Sequence, residues 1–385
     1  MVWDDSLLTY DPGAGHPLRA VRLELTMALA RALGVLDRPD MRLVPPATAD
    51  DRTLLLVHDP DYVAAVRAGE PALEFGLGDA DCPTFPGLHE AAALVTGASV
   101  RAAEVVWRGE ALHAANLAGG LHHAHRARAA GFCVYCDPAV AIARLLEDGA
   151  ERVAYVDVDA HHGDGVAEAF DADPRVLTIS LHQEGTTAFP GTGFAEEVGS
   201  GAAEGNDVNV ALPPYTDDTG WLRAFSGVVP VLLRAFEPQV LVTQGGCDAH
   251  RDDPMADLRL SVEGLATAYG ALHELAHEVC EGRWVALGGG GYDLGGAVPR
   301  AWSAMLGFVT GAPLPLDTPL PEQWRDLVQQ RCGQLGPERL GDGAPIRYRT
   351  WDAGSGDVEN ALDRSVAATR SAVLPLHGLD PMRDR

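Results

Sequence analysis

The sequence predicts an α/β protein built on a parallel sheet with helices on both faces, and three observations carry that expectation. First, apolar, β-branched runs at residues 153–158, 175–181, 239–243 and 283–287 read as buried strands. Helical patterns, notably at 221–236 and 262–279, separate them. Second, the polar and glycine residues of each run gather at its C-terminal end, where open α/β sheets place their ligands. These ends are Asp157-Val-Asp-Ala-His-His-Gly-Asp-Gly165, His182, Gly245-Gly-Cys-Asp248 and Gly288-Gly-Gly-Gly-Tyr292. Third, 385 residues that are 46% hydrophobic suffice for a large core and exclude global disorder.

Before the first of these runs, residues 10–19 are rich in turn formers, and a helix is expected over 19–33, stopped by Gly34. A short strand at 54–58 and a helix start at 59–62 follow. Residues 76–87 form a Gly-, Asp- and Pro-rich loop, and the Ala-rich stretch 89–107 is a long helix. Asn116-Leu-Ala-Gly-Gly-Leu-His-His-Ala124 is a loop presenting two adjacent histidines, and 137–146 is an amphipathic helix. From Gly311 onward the composition changes, and the proline-rich segment 312–321 marks the exit from the core. The organisation read here is one domain, 1–320, with a C-terminal extension, 321–385, packed on it or trailing from it. The extension ends in a helix over 357–374 and a loose tail. No internal repeat or low-complexity tract is visible.

The formal net charge is −26, from 55 acids against 29 bases. Such a surface repels a nucleic-acid backbone or an anionic membrane and favours cationic ligands such as lysine-rich segments, although solubility alone explains it as well. The opening Met1-Val-Trp-Asp-Asp has neither a basic leader nor an apolar core of a signal segment. Apolar runs such as 228–233 are too short to span a bilayer. Six cysteines show no disulfide framework. Cys133-Val-Tyr-Cys136 matches C-x-x-C without a second pair, which argues against a zinc knuckle. The expectation is a reduced, cytoplasmic protein.

The stretch from Val153 to Gly165 organises the chemistry. Carboxylates at the end of a buried strand are costly unless compensated, and a metal ion does this well. In extended backbone Asp157, Asp159 and His161 share one parity. Their oxygen and nitrogen donors suit a divalent transition metal. A helix-capping role for Asp164 alone leaves the other acids and imidazoles unexplained. Asp159 and His161 are two ligand candidates, and Asp248 at a neighbouring strand end is the third. Zn²⁺ and Fe²⁺ both fit this set. His122 and His123 need carboxylate partners to set their tautomers, and Asp157 and Asp164 are the spare acids. One imidazole would act as general base for water and then as acid to a leaving amine. Tyr292, after four glycines, could donate to a developing oxyanion.

Together these motifs resemble the class I histone deacetylase family. Asn116 to His125, Gly131-Phe-Cys133, the stretch from Tyr155 to Val166, Phe189-Pro-Gly-Thr-Gly193, Gly246-Cys-Asp248 and Gly288-Gly-Gly-Gly-Tyr292 occur in that family's order. Cys82-Pro-Thr-Phe-Pro-Gly-Leu-His-Glu90 and Asn116-Leu-Ala-Gly-Gly are similar to its bacterial acetoin-utilisation (AcuC-type) branch. The likeness covers about residues 8 to 310. It implies the arginase–deacetylase fold, a single eight-stranded parallel sheet flanked by helices, and zinc-dependent hydrolysis of acetyl-lysine in proteins.

Carried over by position, the resemblance puts the metal ligands on Asp159, His161 and Asp248. It puts the histidine–aspartate pairs on His122 with Asp157 and His123 with Asp164, and the transition-state tyrosine on Tyr292. Substrate contacts fall on Asp81, Gly131, Phe132, Phe189 and Met255, and a product channel on Arg22. A potassium site falls on Asp157, Asp159, His161, Ser180 and Leu181, with a second monovalent site around Phe170 and Val176. The sequence departs from the family at Cys247 and at Ala249-His250-Arg251, which concerns the rim beside Asp248. An acetylpolyamine hydrolase is the alternative within the same chemistry. A dinuclear manganese ureohydrolase is a further alternative, but it would need extra bridging carboxylates near Asp248, and Gly245-Gly-Cys-Asp-Ala-His250 does not supply the expected cluster. Oligomeric state is not legible.

Overall fold

A computed structural model of the chain describes residues 1–351 and 359–384. Among these residues, six strands form one wholly parallel sheet: β1 (His113–Asn116), β2 (Val153–Asp157), β3 (Val176–Gln183), β4 (Asp207–Leu212), β5 (Val240–Gln244) and β6 (Trp284–Leu287). Their order is β1-β6-β5-β2-β3-β4. Every residue of β2, β3, β5 and β6 is buried, as a sheet covered on both faces requires.

Among the described residues, eleven α-helices surround the sheet: α1 (Val21–Ala32), α2 (Asp51–Leu54), α3 (Pro60–Ala68), α4 (Leu88–Trp107), α5 (Asp137–Glu147), α6 (Asp164–Phe170), α7 (Asp218–Phe236), α8 (Val262–Cys280), α9 (Ala297–Val309), α10 (Glu322–Cys332) and α11 (Ala361–Val373). One layer contains α4, α5 and α6. The other contains α7, α8 and α9, with α1 packed outside α9. From β2 the chain winds outward through β3 to β4. It then returns to β5 on the other side of β2 and winds the opposite way to β6. Loops leaving β2 and β5 therefore diverge and leave a crevice between them, the switch point of a doubly wound sheet.

The expected eight strands are six among the described residues. Beside β1, Val2 donates its amide to the Ala115 carbonyl and bridges Val44, but Pro45-Pro46 follows without N–H donors, and pairing stops there. The strand expected at 54–58 is instead the end of α2 and a turn, because the Asp50 carboxylate caps the Thr53 amide at 2.9 Å and starts a helix. β1 and β4 lacked a sequence signal: His-Ala-Ala-Asn has no β-branched residue, and Asn209 interrupts the apolar pattern of β4. Of the final helix expected over 357–374, residues 357–358 lie outside the described residues and α11 spans Ala361–Val373. The tail is held rather than loose, since Arg370 donates to the carbonyls of Pro381 at 2.9 Å and Asp384 at 2.7 Å.

Beyond residue 320, α10 and α11 pack on the layers around the sheet. Trp324 and Val328 of α10 bury against Val21, Leu25 and Leu29 of α1, and α11 lies on β4 and α7. Asp342 reaches further in. Its carboxylate accepts from Arg300 at 2.6 Å, from the Val262 amide at 2.8 Å and from His250 Nε2 at 2.9 Å. His250 Nδ1 accepts from the Asp252 amide at 3.2 Å, so Nε2 carries the proton that Asp342 receives. Asp342→Ala removes the carboxylate that faces the buried Arg300 guanidinium and the acceptor of the buried His250 Nε2 proton. We expect a loss of about 3–5 kcal/mol in stability, read as a lower urea midpoint at unchanged slope.

Candidate active site

β2 ends at Asp157, short of the extended run the sequence suggested. The Asp159 amide donates to Asp157 Oδ1 at 3.1 Å and the His161 amide to Asp159 Oδ1 at 3.0 Å. These aspartate turns fold the chain back on itself after the strand. They also keep Asp157, Asp159 and His161 within one small volume. Across the crevice Asp248 follows β5, and its Oδ1 accepts the Ala160 amide at 2.7 Å. His161 Nδ1 stands 3.1 Å from Asp159 Oδ1 and 2.9 Å from Asp248 Oδ2. One donor atom from each of Asp159, His161 and Asp248 lies within 4.8 Å of the others, and all three residues are buried.

The surroundings fit a divalent cation. Asp159 Oδ2 is steadied by Gln244 Nε2 at 2.6 Å and the Gly290 amide at 2.7 Å. A Cβ at Gly246 would stand 2.2 Å from Asp159 Oδ2, and one at Gly290 2.0 Å from Asp248 Oδ2, so both positions must be glycine for the carboxylates to converge. Burial disfavours charge on Asp159, yet His122 and His161 outweigh it and hold its carboxyl well below the usual range. Burial and the neighbouring Asp159 push Asp248 up to about 6. His161 is driven well above the normal imidazole range against its own burial, because Asp248 and Asp159 face it. Two carboxylates and an imidazole thus present a centre in need of positive charge, and this donor set suits Zn²⁺ or Fe²⁺.

His122 and His123 sit at the mouth of this centre, on the loop after β1. His122 Nδ1 bonds Asp157 Oδ2 at 2.7 Å and His123 Nδ1 bonds Asp164 Oδ1 at 2.7 Å. Their Nε2 atoms face each other at 3.0 Å, and His122 Nε2 is 3.8 Å from Asp159 Oδ1. Burial opposes protonation of His122, but Asp157 and Asp159 raise it to about 9. His123 is lowered by burial and by the adjacent His122. Environments that separate the basicities of two adjoining groups divide acid and base roles between them. Tyr155, two residues before Asp157 on β2, donates its hydroxyl to Asp157 Oδ2 at 2.6 Å and fixes the first pair.

Tyr292 stands on the glycine loop after β6. Burial, then Asp248 and Asp159, raise its phenol well above the usual range, so it remains a proton donor. Its amide donates to Asp253 Oδ2 at 2.7 Å, and Asp253 Oδ1 accepts the Met255 amide at 3.0 Å, which ties Met255 to the same loop. Arg22 is buried and donates to the carbonyls of Gly289 at 2.9 Å and Gly291 at 3.0 Å, with its guanidinium 5.1 Å from the Trp302 ring. A small internal cavity bordered by Tyr10, Leu18, Arg19 and Leu121 lies beside it.

The approach is walled by rings. Phe132 packs edge-on to Tyr292 at 5.7 Å, and Phe189, half exposed, packs edge-on to His123 at 4.9 Å. Phe132 adopts the left-handed conformation at φ 68°, costly for a residue with a Cβ, and Tyr10 holds its carbonyl through a 2.8 Å hydrogen bond. A Cβ at Gly131 would lie 2.3 Å from the His123 ring, so glycine admits the imidazole. The Gly131 amide donates to Asp81 Oδ2 at 2.7 Å. Met255 is exposed at 39% and is joined to the Tyr292 loop through Asp253. Asp157 and Ser180 are register partners on β2 and β3, with Leu181 buried next to them; Ser180 Oγ lies 2.8 Å from His182 Nδ1.

Gln244, Tyr155, Asp253 and the His162–His182 pair were not assigned from sequence. Tyr155 shares strand parity with Asp157, and that was a usable signal. Asp253 and Gln244 carried none. Cys133 and Cys136 are buried free thiols, raised by burial, and take no visible part. His250, unusual for its position, is the partner of Asp342.

Comparison with known proteins agrees with this geometry. Residues 16–309 match the family described as the histone deacetylase domain. The acetoin utilization protein AcuC of Bacillus subtilis (strain 168) is 40% identical over 352 residues, 90% of each chain. That of Staphylococcus aureus (strain MRSA252) is 34% identical over 348 residues, 89% of each. The crystal structure of an HDAC homologue from Aquifex aeolicus superposes with a TM-score of 0.83 at 30% identity, covering 96% of this chain and 98% of that one. An HDAC homologue complexed with SAHA gives the same values. The chain belongs to the histone deacetylase family, in its AcuC-type branch, and is a deacetylase-type hydrolase on the arginase–deacetylase fold.

Proposed function

We propose that the chain hydrolyses the acetyl amide of Nε-acetyl-lysine in proteins or peptides, using a divalent metal held by Asp159, His161 and Asp248. The observation that carries this reading is the pairing of two buried His–Asp dyads with that three-donor centre. Zn²⁺, or Fe²⁺ in its place, supplies Lewis-acid polarisation of the amide carbonyl and makes water more acidic. The imidazole pair accepts the proton of the attacking water and returns it to the departing lysine amine, while Asp157 and Asp164 hold the ring tautomers. Tyr292 donates its hydroxyl proton in a hydrogen bond to the carbonyl oxygen as negative charge develops there. Phe132 and Phe189 flank the lysine methylenes, and Gly131 permits their approach.

Asp81, anchored by the Gly131 amide, keeps its second oxygen for the substrate backbone at the rim, and Met255 is a further substrate contact. Arg22 borders the cavity through which acetate would leave. K⁺ would sit between β2 and β3, held by Asp157, Asp159, His161, Ser180 and Leu181. A cleft of about 900 Å³ adjoining Phe189 is lined by Asp79, Asp81, Glu168, Asp171, Glu196 and Glu197, which favours a cationic, lysine-rich partner over nucleic acid or an anionic membrane. The same acidity favours acetylpolyamines as a second substrate class. No helix among the described residues is long and apolar enough to cross a membrane, in keeping with action in the cytoplasm. The names of the AcuC relatives suggest a link to acetoin utilisation.

The decisive experiment is a panel of acetyl-lysine peptides, longer acyl-lysines and acetylpolyamines with Zn²⁺, Fe²⁺ and Mn²⁺. Acetyl-lysine peptides left intact by the metal-loaded wild type, with His123→Ala indistinguishable from it, would sink the proposal. Tyr292→Phe is expected to lower kcat by about 10²–10³ with KM nearly unchanged, since the lost hydrogen bond belongs to the transition state. Gly290→Ala drives a Cβ against the Asp248 and Asp159 carboxylates. We expect metal affinity to fall about 10–100-fold or more, measured by competition with a chromogenic chelator, while the far-UV circular dichroism stays that of the wild type.

A further inference from the structure

At the opposite end of the sheet, three histidines converge without a role in the chemistry above. His113 opens β1, and His273 and His277 lie one turn apart on α8, hence on one face of that helix. Each ring packs edge-on to the other two, with centroids 4.8 Å apart for His113–His273, 5.0 Å for His113–His277 and 4.7 Å for His273–His277. One ring nitrogen from each lies within 4.8 Å of the others. Three intervals of strand, about 10 Å at 3.3 Å per residue, separate His113 from the strand end that adjoins the active-site loop.

We propose that His113, His273 and His277 form a second metal site, one that takes Zn²⁺, separate from the Asp159–His161–Asp248 centre. His113 Nδ1 meets the Val309 carbonyl at 2.9 Å, an acceptor only, so the proton sits on Nδ1 and the Nε2 lone pair is free. A ring fixed through its other nitrogen by a backbone carbonyl is the arrangement expected of a metal-binding histidine. That lone pair faces His277 Nε2 at 3.0 Å. Two nitrogens about 2.0–2.1 Å from a tetrahedral zinc stand about 3.3 Å apart, so this pair needs to open by only a few tenths of an ångström, and the His273 ring closes on them from within 4.8 Å. His273 Nε2 is buried without any hydrogen-bond partner, which a shared proton between the other two rings leaves unexplained.

The pocket is shaped for these rings. Trp284 and Phe308 wall His273 at 5.8 Å and 6.5 Å, and a Cβ at Gly282 would stand 2.7 Å from His277 Cε1. Burial keeps His113 and His273 below the ordinary imidazole range, which favours the neutral, metal-binding form. His277 is exposed, so the ion enters from solvent and the fourth position is open to water or to an outside donor. Three imidazoles without a carboxylate suit Zn²⁺ over Mg²⁺, Ca²⁺ or Mn²⁺.

The test is equilibrium dialysis of the untagged full chain against Zn²⁺. Asp159→Asn with Asp248→Asn removes the strand-end donors, and this double variant is expected to retain one equivalent of zinc. Adding His277→Gln, or separately His273→Gln, should abolish that equivalent, with circular dichroism confirming the fold. His277→Gln alone should lose one equivalent and keep wild-type deacetylase activity. Zinc should raise the Tm of the double variant and leave that of the triple variant unmoved. A double variant that binds no zinc, or whose equivalent survives both histidine substitutions, overturns the proposal whatever the substrate of the enzyme proves to be.

Discussion

The constraint on which the rest of the structure depends is the burial of two carboxylates, Asp159 and Asp248, within reach of each other and of a third polar donor. Two negative charges that close, out of water, repel strongly, and their desolvation adds a cost of several kcal/mol per ion. Nothing in the apolar core offsets this. The fold meets it by aiming donors at each oxygen: the Gln244 amide and Gly290 N–H at Asp159, and Ala160 N–H and His161 at Asp248. His161 gains basicity as the nearest group able to carry positive charge. A site that makes a histidine supply the missing charge is one whose donor set fits a divalent cation in place of that proton.

Several distant features follow from this centre. The donors come from β5, from the loop after β6 and from the turn after β2, so the carboxylates converge only where three parallel strands end side by side. The β2–β5 switch supplies that place. Gly246 and Gly290 leave the space in which the carboxylates stand. The Gly288–Tyr292 loop, being rich in glycine, needs outside support, and receives it from two sides: Arg22 holds two of its carbonyls and Asp253 holds the Tyr292 amide. Burial and the neighbouring Asp248 push Asp253 up to about 7, and it persists in that place by accepting backbone amides. The backbone that carries the Tyr292 phenol is therefore positioned by groups far along the chain.

Much of this was legible in the sequence because the chemistry is compressed into short stretches. Asp157, Asp159, His161 and Asp164 lie within eight positions, and a buried strand leading into such a cluster has few explanations. Asp248 could be placed because its glycines follow a strand pattern. What could not be read was whatever depends on distance between segments. The sequence suggested an extended backbone through His161, whereas the aspartates turn it at Asp157 through their own side chains. β1 was hidden because its four residues owe their strand to pairing with β6, not to any preference of their own. The expected eight strands came from resemblance, and the prolines after Val44 show why one edge stops short.

The C-terminal segment shows how a fold can anchor its active site from outside the catalytic region. His250 lies two residues after Asp248, fully buried, and its proton goes to Asp342, more than 90 residues along the chain. The same carboxylate accepts from Arg300 on α9 and caps the first amide of α8. One side chain thus joins the loop that carries Asp248 to α8 and α9, which pack against each other. Gly245 is gripped in parallel, since Trp302 on α9 and Tyr269 on α8 both donate to its carbonyl, at 2.9 Å and 3.0 Å. With Asp248 fixed on both sides by these contacts, its carboxylate has little freedom to relax away from Asp159. The rigidity needed to hold two like charges together therefore comes from α8, α9 and a residue of the C-terminal extension, and that segment is part of the site's foundation rather than an appendage to it.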